Sequence, residues 1–299
     1  MQKAPPTPKG FRDIKPDLAK KRRAVINQIV DVLEEFGFAP IETPTIEFAE
    51  TLKGKYGEEE RLIYEFKDRG GRDLALRYDL TVPVARYVAT NNPPLPFRRY
   101  QIGQVFRGEN PQKGRYREFT QLDYDTVGSD SLEEDAKIIA AALKAVKAVG
   151  LKSSQIKIND RKNFEGVDKE VVIALDKLEK IGEEGVVNEL TQKGLSKAKA
   201  TAILQSMANK PLTDNLKSLF KILDEGGIDS REYIFDPLLA RGLDYYTGAI
   251  FELKIPSYGN LSIGSGGRYD NLIGMFSKRQ IPAVGFSFGL DRLIEAIQN

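Results

Sequence analysis

The sequence predicts an α+β fold in which an antiparallel or mixed sheet is flanked by helices and interrupted by a small inserted helical module. Two pairs of extended segments in the first half are each joined through a turn or loop, which is typical of hairpins and not of βαβ units. Extended segments return after a wholly helical stretch, so the last strands must join a sheet that the first half begins. Neither a P-loop sequence nor the strand–GxGxxG–helix order of a dinucleotide site occurs.

The first half begins with a helix and continues into two hairpins. Apolar residues at helical spacing predict an amphipathic helix from Pro16 to Phe36, which Gly37 ends. Turn residues and apolar runs predict the remaining elements. These are an extended piece at 38–43, hairpin strands at 62–67 and 73–77, a helix at 81–89, and hairpin strands at 98–107 and 118–127.

The second half contains the helical module and the closing strands. Ser131 and Glu134 form a capping-box pattern ahead of a helix over 136–149, with Gly150 as its end. The other predicted elements are a strand at 156–158, helices near 168–181, 183–193, 196–208 and 212–224, strands at 235–239, 249–254, 261–263 and 283–288, and a last helix from Leu290. We therefore predict a core formed by 1–166 and 231–299 and an inserted helical module at 167–230.

The composition excludes several kinds of chemistry. The 299 residues carry a net charge of +2, so only local patches could favour nucleic acid. There is no cysteine and no histidine, which excludes thiol nucleophiles, Ser-His-Asp triads and imidazole-ligated zinc. The first ten residues lack the apolar core of a signal peptide, and no segment reaches the roughly 20 apolar residues of a membrane span. We expect a cytoplasmic protein.

The most informative segment is FRGENPQKGRYREFTQLDYD at 106–125. Arg107, Arg115 and Arg117, with Lys113, surround a Pro-Gln-Lys-Gly turn between two predicted strands. Guanidinium groups bind phosphate oxygen pairs in fixed geometry, and a neighbouring aromatic ring such as Phe119 offers a face for a flat base. The segment therefore predicts a site for a nucleoside triphosphate.

Four segments together resemble the catalytic domain of histidyl-tRNA synthetase, a class II aminoacyl-tRNA synthetase. They are KGFRDIKP at 9–16, LRYDLTVPVAR at 76–86, the loop at 106–125, and LLARGLDYYTGAIFE at 238–252, which continues to GSGGRYDNLIG and GFSFGLDRL. RGLDYYTG is the segment peculiar to the histidine-specific family. The resemblance implies a class II synthetase-like antiparallel sheet. It also implies activation of histidine with ATP to histidyl-adenylate and transfer to the acceptor end of tRNA.

The resemblance assigns ATP-binding roles to five residues. Arg107 would bind the α-phosphate and the attacking carboxylate, Arg115 would point toward the γ-phosphate, and Glu109 would lie near adenine. Phe119 and Arg292 would stack on the two faces of adenine. Taken singly, Arg107 and Arg292 could equally be surface ion-pair partners. Mg²⁺ is expected with ATP, although no protein side chains are assigned to it.

Arg241 is the second catalytic candidate. It follows an apolar stretch and precedes a glycine, which would project a cation from a strand end into a cleft. In the family, an arginine here supplies the second positive charge at the reacting phosphate. The alternative is a buried structural arginine paired with an acid such as Asp244.

The resemblance also implies the histidine pocket. Asp79 and Thr81 would lie near the α-ammonium group. A carboxylate and a tyrosine hydroxyl can satisfy both nitrogens of an imidazole ring. The residues expected to form the pocket are Gln121, Asp125, Tyr245, Tyr246 and Tyr269. Tyr245 and Tyr246 could instead be ordinary strand aromatics, and Gly264, Gly266 and Gly267 predict a tight turn that permits close backbone approach.

Two rival interpretations stay open at this point. Family members continue into an anticodon-binding domain, whereas this sequence ends at Asn299, so efficient tRNA selection is in doubt. A histidine sensor similar to the synthetase-like regulatory subunit of ATP phosphoribosyltransferase also lacks that domain, and a chain without histidine would suit such a regulator. A purely structural module would bind no ATP at all.

The family further implies a homodimer and a possible RNA contact. Its first motif, here Gly10 to Pro16 with the helix that follows, forms the subunit interface, although an apolar stripe alone would also suit core packing. Lysines of the inserted module, such as Lys193, Lys197 and Lys210, could touch tRNA phosphates. Solvated helix faces explain these lysines equally well.

Overall fold

A computed structural model describes residues 5–112, 114–242, 245–259 and 262–298. The helices are α1 (Pro16–Glu35), α2 (Ala49–Leu52), α3 (Thr81–Asn91), α4 (Leu132–Ala148), α5 (Lys169–Asp176), α6 (Leu178–Gln192), α7 (Lys197–Ala208), α8 (Asp214–Glu225) and α9 (Leu290–Gln298). The strands are β1 (Ala39–Pro40), β2 (Ile46–Phe48), β3 (Glu65–Lys67), β4 (Asp73–Leu76), β5 (Phe97–Phe106), β6 (Glu118–Val127), β7 (Gln155–Asp160), β8 (Tyr233–Phe235), β9 (Ala249–Lys254), β10 (Gly264–Arg268) and β11 (Ala283–Gly289).

The described strands form one large sheet and one small sheet. The large sheet has eight strands in the order β1-β5-β6-β11-β10-β9-β7-β8. Its neighbours are antiparallel except for the outermost pairs, β1 with β5 and β7 with β8. The strands of the first half lie side by side at one end of this sheet and those of the second half complete it, which confirms the predicted antiparallel sheet with flanking helices. Because β11 pairs with β6, the last strand joins the hairpin of the first half directly.

The two faces of the large sheet differ in polarity because side chains alternate along each strand. One face carries buried apolar side chains, including Tyr124, Phe251 and Phe286, and packs against α1, α4, α8 and α9. The other face carries polar side chains and glycines at the centre of the sheet. This polar face forms the floor of the cleft described below.

Strand β10 corrects the prediction of a tight turn at the glycine cluster. Gly264, Gly266 and Gly267 lie in a central strand, and their lack of a Cβ lets neighbouring strands approach closely. A Cβ on Gly266 would lie 2.1 Å from the carbonyl oxygen of Gly285. The predicted close approach is therefore present, but it occurs within the sheet. Residue 261 of the predicted strand at 261–263 lies outside the described residues.

Several predicted boundaries also differ. The strand expected at 235–239 ends at Phe235. In the module, α5 ends at Asp176, and α6 contains a non-helical Gly182 with φ of 71°. Ser131 does cap α4, since its hydroxyl accepts the Glu133 N–H at 3.2 Å.

The prediction that Glu134 completes a capping box was wrong. Its carboxylate does not reach back to the N–H of Ser131, which donates to the Ser129 hydroxyl instead. Glu134 pairs with Arg98 and accepts from the Thr126 hydroxyl at 2.9 Å. Two partners on neighbouring strands therefore outcompete the local backbone for this carboxylate.

The second core lies between the small sheet and the module. The predicted hairpin β3–β4 is present, and β2 adds a third strand that the sequence analysis did not identify. Helices α5, α6 and α7 contribute apolar side chains to this core together with α3, whereas α8 packs on α4 in the first core. None of the helices in the described part of the chain is long and apolar enough to cross a bilayer.

Candidate active site

A cleft of about 1120 Å³ opens over the polar face of the large sheet. All thirteen side chains that the sequence analysis selected line it, although they come from segments more than 200 residues apart. They are Asp79, Thr81, Arg107, Glu109, Arg115, Phe119, Gln121, Asp125, Arg241, Tyr245, Tyr246, Tyr269 and Arg292. The cleft has a predominantly cationic part near the loop after β5 and an acidic part over β6.

Arg107 follows β5 directly and is held between two aromatic rings. Its guanidinium carbon lies 4.2 Å from the ring centre of Tyr78 and 5.1 Å from that of Phe119. Its Nε donates to the carbonyl oxygen of Tyr78 at 3.1 Å. Burial lowers the pKa of Arg107, but Tyr78, Glu109 and Asp79 raise it, and the net shift is upward. The group therefore remains a fixed cation that faces the cleft.

Two further arginines converge on the same part of the cleft. Arg115 forms an ion pair with Glu109 at 3.3 Å. Arg292, on α9, donates to the main-chain oxygens of Gly114 at 2.9 Å and Ser262 at 3.1 Å. Burial lowers the pKa of Arg292, and the nearby charges of Arg115 and Arg107 lower it further. An anion in this part of the cleft would relieve that repulsion. Lys113, the other predicted cation of the loop, lies outside the described residues.

Arg241 also lines the cleft, next to helix α5 of the module. Its charge is compensated by Asp176 on α5 and Glu252 on β9, and together with Tyr246 and Tyr245 they outweigh burial, so that the pKa of Arg241 is raised. Its buried Nε has no hydrogen-bond partner within the described part of the chain. Asp244, the predicted alternative partner, falls outside the described residues. The structure instead identifies Asp176, which no sequence pattern had singled out.

The floor of the acidic part is an ion pair beneath a tyrosine. Arg99 on β5 is fully buried, and its Nη2 lies 2.5 Å from Oδ2 of Asp125 on β6. The hydroxyl of Tyr269 donates to Oδ1 of Asp125 at 2.5 Å. Burial raises the pKa of Asp125, while Arg99 and Tyr269 oppose that shift. Both oxygens of Asp125 therefore already contact protein groups.

Beside this pair, Gln121 and Asp123 extend the polar row on β6. The side-chain amide of Gln121 donates through Nε2 to the Ser287 hydroxyl on β11 at 2.7 Å. Burial raises the pKa of Asp123 to about 7, with Asp125 adding to the rise and Arg99 and the Ser287 hydroxyl opposing it. Buried Oε1 of Gln121 and Oδ1 of Asp123 accept no hydrogen bond from the described residues. These atoms are free acceptors at the bottom of the cleft.

Asp79 provides a third free acceptor at the start of α3. Its Oδ1 accepts from the Tyr56 hydroxyl and from the Val82 N–H, both at 3.0 Å, whereas its buried Oδ2 accepts from no described residue. Burial raises its pKa, although hydrogen bonds and Arg107 oppose the rise. A cationic or N–H-bearing ligand group would satisfy this oxygen.

An aromatic cluster forms the wall of the acidic part. The rings of Tyr245 and Tyr246 lie 4.9 Å apart, and the rings of Tyr245 and Tyr269 lie 6.0 Å apart. Burial raises the pKa of Tyr245, and the neighbouring Thr81 opposes that rise. Tyr245 and Tyr246 precede β9 and line the cleft, and both are also buried members of the second core.

Sequence reasoning missed five functional candidates: Arg99, Asp123, Asp176, Ser287 and Tyr56. A signal existed for the first two. Polar side chains recur at every second position of β5 and β6, and the register places them on one face. Alternation of this kind on central, fully covered strands indicates a polar cavity and not a solvent face. Asp176, Ser287 and Tyr56 carry no such pattern.

Comparisons with known proteins place this arrangement in a family. The family model described as histidyl-tRNA synthetase matches residues 10–183 and 185–293. A histidine–tRNA ligase of Aeropyrum pernix is 42% identical over 326 residues, which cover 98% of this chain and 74% of the relative. The crystal structure of histidyl-tRNA synthetase from a Nostoc species has a TM-score of 0.81 at 31% identity and covers 98% of this chain and 75% of its own.

A second solved structure bears on the sensor alternative. It is described as an ATP phosphoribosyltransferase regulatory subunit/histidyl-tRNA synthetase from Bacillus halodurans. Its TM-score is 0.77 at 26% identity, covering 100% of this chain and 85% of its own. The relative named only as a ligase is thus considerably more similar in sequence than this structure is.

Proposed function

The chain belongs to the histidyl-tRNA synthetase family, and from this membership we propose how its cleft performs the reaction of a histidine–tRNA ligase. The enzyme joins histidine to ATP as histidyl-adenylate and then transfers histidine to tRNA. The observation that supports a catalytic cleft most strongly is that Arg107 and Arg241, from distant segments, line the same cavity as a row of free buried acceptors. A cationic part beside an acidic part suits a triphosphate beside an amino acid.

In the first step, a carboxylate oxygen of histidine attacks the α-phosphorus of ATP. A bond forms between these atoms, the bond to the bridging oxygen breaks, and pyrophosphate leaves with its electron pair. Negative charge accumulates on the α-phosphate oxygens during this step, so fixed cations accelerate it. Arg107 and Arg241 supply these cations. The rings around Arg107 and the acids around Arg241 hold both groups before the substrate arrives.

In the second step, a terminal ribose hydroxyl of tRNA attacks the carbonyl carbon of histidyl-adenylate. The new ester bond forms as AMP leaves with the electron pair of the anhydride bond, and the hydroxyl proton passes to a phosphate oxygen of the departing AMP. Arg107 can balance the phosphate charge in both steps because it contacts the same phosphate throughout.

The remaining cationic residues bind ATP. Adenine stacks between Phe119 and Arg292, Glu109 accepts from the adenine edge, and Arg115 binds the γ-phosphate. In the structure, Arg107 covers one face of Phe119, which leaves the other face for the base. Binding of the γ-phosphate would compete with Glu109 for Arg115, because these two side chains form an ion pair in the free protein.

Histidine lies in the acidic part of the cleft. Asp79 and Thr81 bind the α-ammonium group, for which the free Oδ2 of Asp79 is suited. The imidazole ring lies among five cleft residues, namely Gln121, Asp125, Tyr245, Tyr246 and Tyr269. The Tyr269–Asp125–Arg99 chain of contacts holds Asp125 in place, so a ring N–H meets a preoriented carboxylate.

Mg²⁺ belongs to the proposal as a companion of ATP. Within the described residues no group of three or more acidic side chains is placed to hold a metal ion. This fits an ion that keeps its water and binds mainly through substrate phosphates, with one or two carboxylates. Glu252, which lines the cleft, is the candidate. When bound, the ion would neutralise phosphate charge and favour departure of pyrophosphate.

We further propose a cytoplasmic homodimer. Gly10 to Pro16 and α1 form part of its interface. The small sheet offers additional apolar area: Ile46, Phe48 and Phe66 share one face and are 45%, 49% and 40% exposed. Exposed apolar side chains on one sheet face are typical of a subunit contact. Sedimentation velocity measures the oligomeric state, and a monomer at micromolar concentration would contradict this assignment.

The division of the chain enters the proposal as well. Residues 1–166 and 231–299 form the catalytic core, and 167–230 form the inserted module. Asp176 links the two, because this residue of the module compensates the charge of Arg241 in the core.

Histidine-dependent exchange between ATP and pyrophosphate tests the mechanism. The Arg241→Ala variant should lose about 10²- to 10³-fold in exchange rate, because it lacks a charge that stabilises the transition state. The matched control is Arg231→Ala, which removes an exposed arginine paired with Asp229 and should leave exchange unchanged. Absence of exchange in the wild-type protein would favour the histidine sensor. Undiminished exchange in Arg241→Ala would refute the role of Arg241.

A further inference from the structure

A side-chain hydrogen bond between β6 and β11 determines which atom of the Gln121 amide faces the cleft. Strand register places Gln121 opposite Gly289 and Asp123 opposite Ser287, so the three polar side chains share the cleft face of the sheet. Nε2 of Gln121 donates to the Ser287 hydroxyl oxygen at 2.7 Å. Oε1 of the same amide is buried and accepts from no described residue.

The Ser287 hydroxyl accepts from Gln121 and must in turn donate to another group. A hydroxyl oxygen that accepts from an amide must donate its own hydrogen to a different group. The acceptor that the strand register offers is Asp123, which lies directly opposite Ser287 on β6 and whose pKa Ser287 helps to lower. Above about pH 7, where Asp123 is ionised, its carboxylate can only accept, so the order of donation runs from Gln121 to Ser287 to Asp123.

The other groups near Asp123 leave this order intact. Arg99 and Asp125 act on it electrostatically, and Gln101 lies opposite it on β5. Gln101 is engaged elsewhere, because its Nε2 donates to the Thr43 hydroxyl at 3.0 Å. Ser287 therefore remains a side-chain donor that the register places opposite the Asp123 carboxylate.

We propose that Ser287, oriented by Asp123, is a positioning residue that turns the Gln121 amide so that Oε1 faces the cleft and accepts an N–H of bound histidine. The inference rests on the proposed role of Gln121 in histidine binding. A reversed amide would present an NH₂ group to an N–H donor of the substrate, and two donors repel each other. In this proposal, Ser287 and Asp123 influence the histidine KM through the orientation of Gln121.

A double-mutant cycle separates this role from direct binding. In ATP–pyrophosphate exchange, Ser287→Ala should raise the KM for histidine about fivefold, the effect of one net hydrogen bond. The KM for ATP and kcat should change less than twofold. In the Gln121→Ala background, Ser287→Ala should raise the histidine KM no further. As a single substitution, Asp123→Ala should raise the histidine KM. In the Ser287→Ala background, it should raise the histidine KM no further.

Controls keep the test decisive. Ser287→Thr retains the hydroxyl and should restore most of the histidine affinity. If Ser287→Ala fails to fold, Ser287→Cys replaces it as the variant without a hydroxyl. Thr126→Val removes another buried hydroxyl from the same sheet, away from the cleft, and should lower stability without changing the histidine KM.

Independent, multiplicative effects of Ser287→Ala and Gln121→Ala would overturn the proposal, as would an equal rise in the KM for ATP. Failure of the proposed function is distinguishable, because the wild-type protein would then show no histidine-dependent exchange before any variant is made.

Discussion

Replacing Asp123 by asparagine should stabilise the protein at alkaline pH more than at acidic pH. Burial raises the pKa of this carboxyl from 3.8 to about 7 in the folded protein. The folded state then holds the proton more tightly than the unfolded chain, so ionisation destabilises the fold as the pH rises from about 4 to about 7. With one pKa unit worth about 1.4 kcal/mol, the carboxyl costs the fold about 2 kcal/mol at pH 5 and about 4 kcal/mol at pH 8.

Asparagine keeps the shape of Asp123 but cannot ionise, so it removes this pH-dependent cost. The free energy of unfolding of Asp123→Asn, relative to wild type, should therefore increase by about 2 to 3 kcal/mol between pH 5 and pH 8. Urea unfolding followed by circular dichroism at both pH values measures the change. Asp73→Asn, at an exposed carboxylate on β4, is the control and should show little effect. A relative stability that is equal at the two pH values, or falls toward pH 8, would refute a buried, destabilised carboxylate.

Two further substitutions test the sheet and its buried charges. Gly285→Ala would place a Cβ 1.8 Å from Oδ1 of Asp125, so the carboxylate must move. In exchange assays, the KM for histidine should rise at least tenfold while the KM for ATP stays within twofold. An unchanged histidine KM would contradict the placement of Asp125. Arg268→Met leaves fully buried Asp135 without its guanidinium partner and should lower the free energy of unfolding by about 3–5 kcal/mol. Lys67→Met removes an exposed ion pair with Asp73 and should lower the free energy of unfolding by at most about 1 kcal/mol. Equal losses for Arg268→Met and Lys67→Met in urea unfolding would show that burial does not control the effect.

The local elements were largely predictable because their signals are local. Apolar spacing and Gly37 identified α1, and turn residues identified the hairpin β3–β4. The errors occurred where distant partners outweigh local preference. The glycines of β10 have the composition of a turn, but close packing against β9 and β11 requires residues without a Cβ there. Glu134 has the position of a capping residue, but Arg98 and Thr126 bind it from neighbouring strands.

The site shows the same division. By itself, the sequence determined the chemical character of the protein. The chain has an arginine-rich loop and contains no histidine or cysteine, and its motifs contain all thirteen selected cleft residues. Those side chains could be identified because motif residues are recognisable by type and order along the chain.

Only the tertiary structure decided how these residues are held. Arg99 beneath Asp125, Asp176 beside Arg241 and the Ser287 hydroxyl on Gln121 are contacts between strands and helices that are distant in sequence. Buried charges and buried donors must find partners wherever the fold brings them together, and one-dimensional spacing carries no record of that register. The cationic loop alone indicates a triphosphate, whereas the pairing of β6 with β11 and the packing of α5 orient the groups around it.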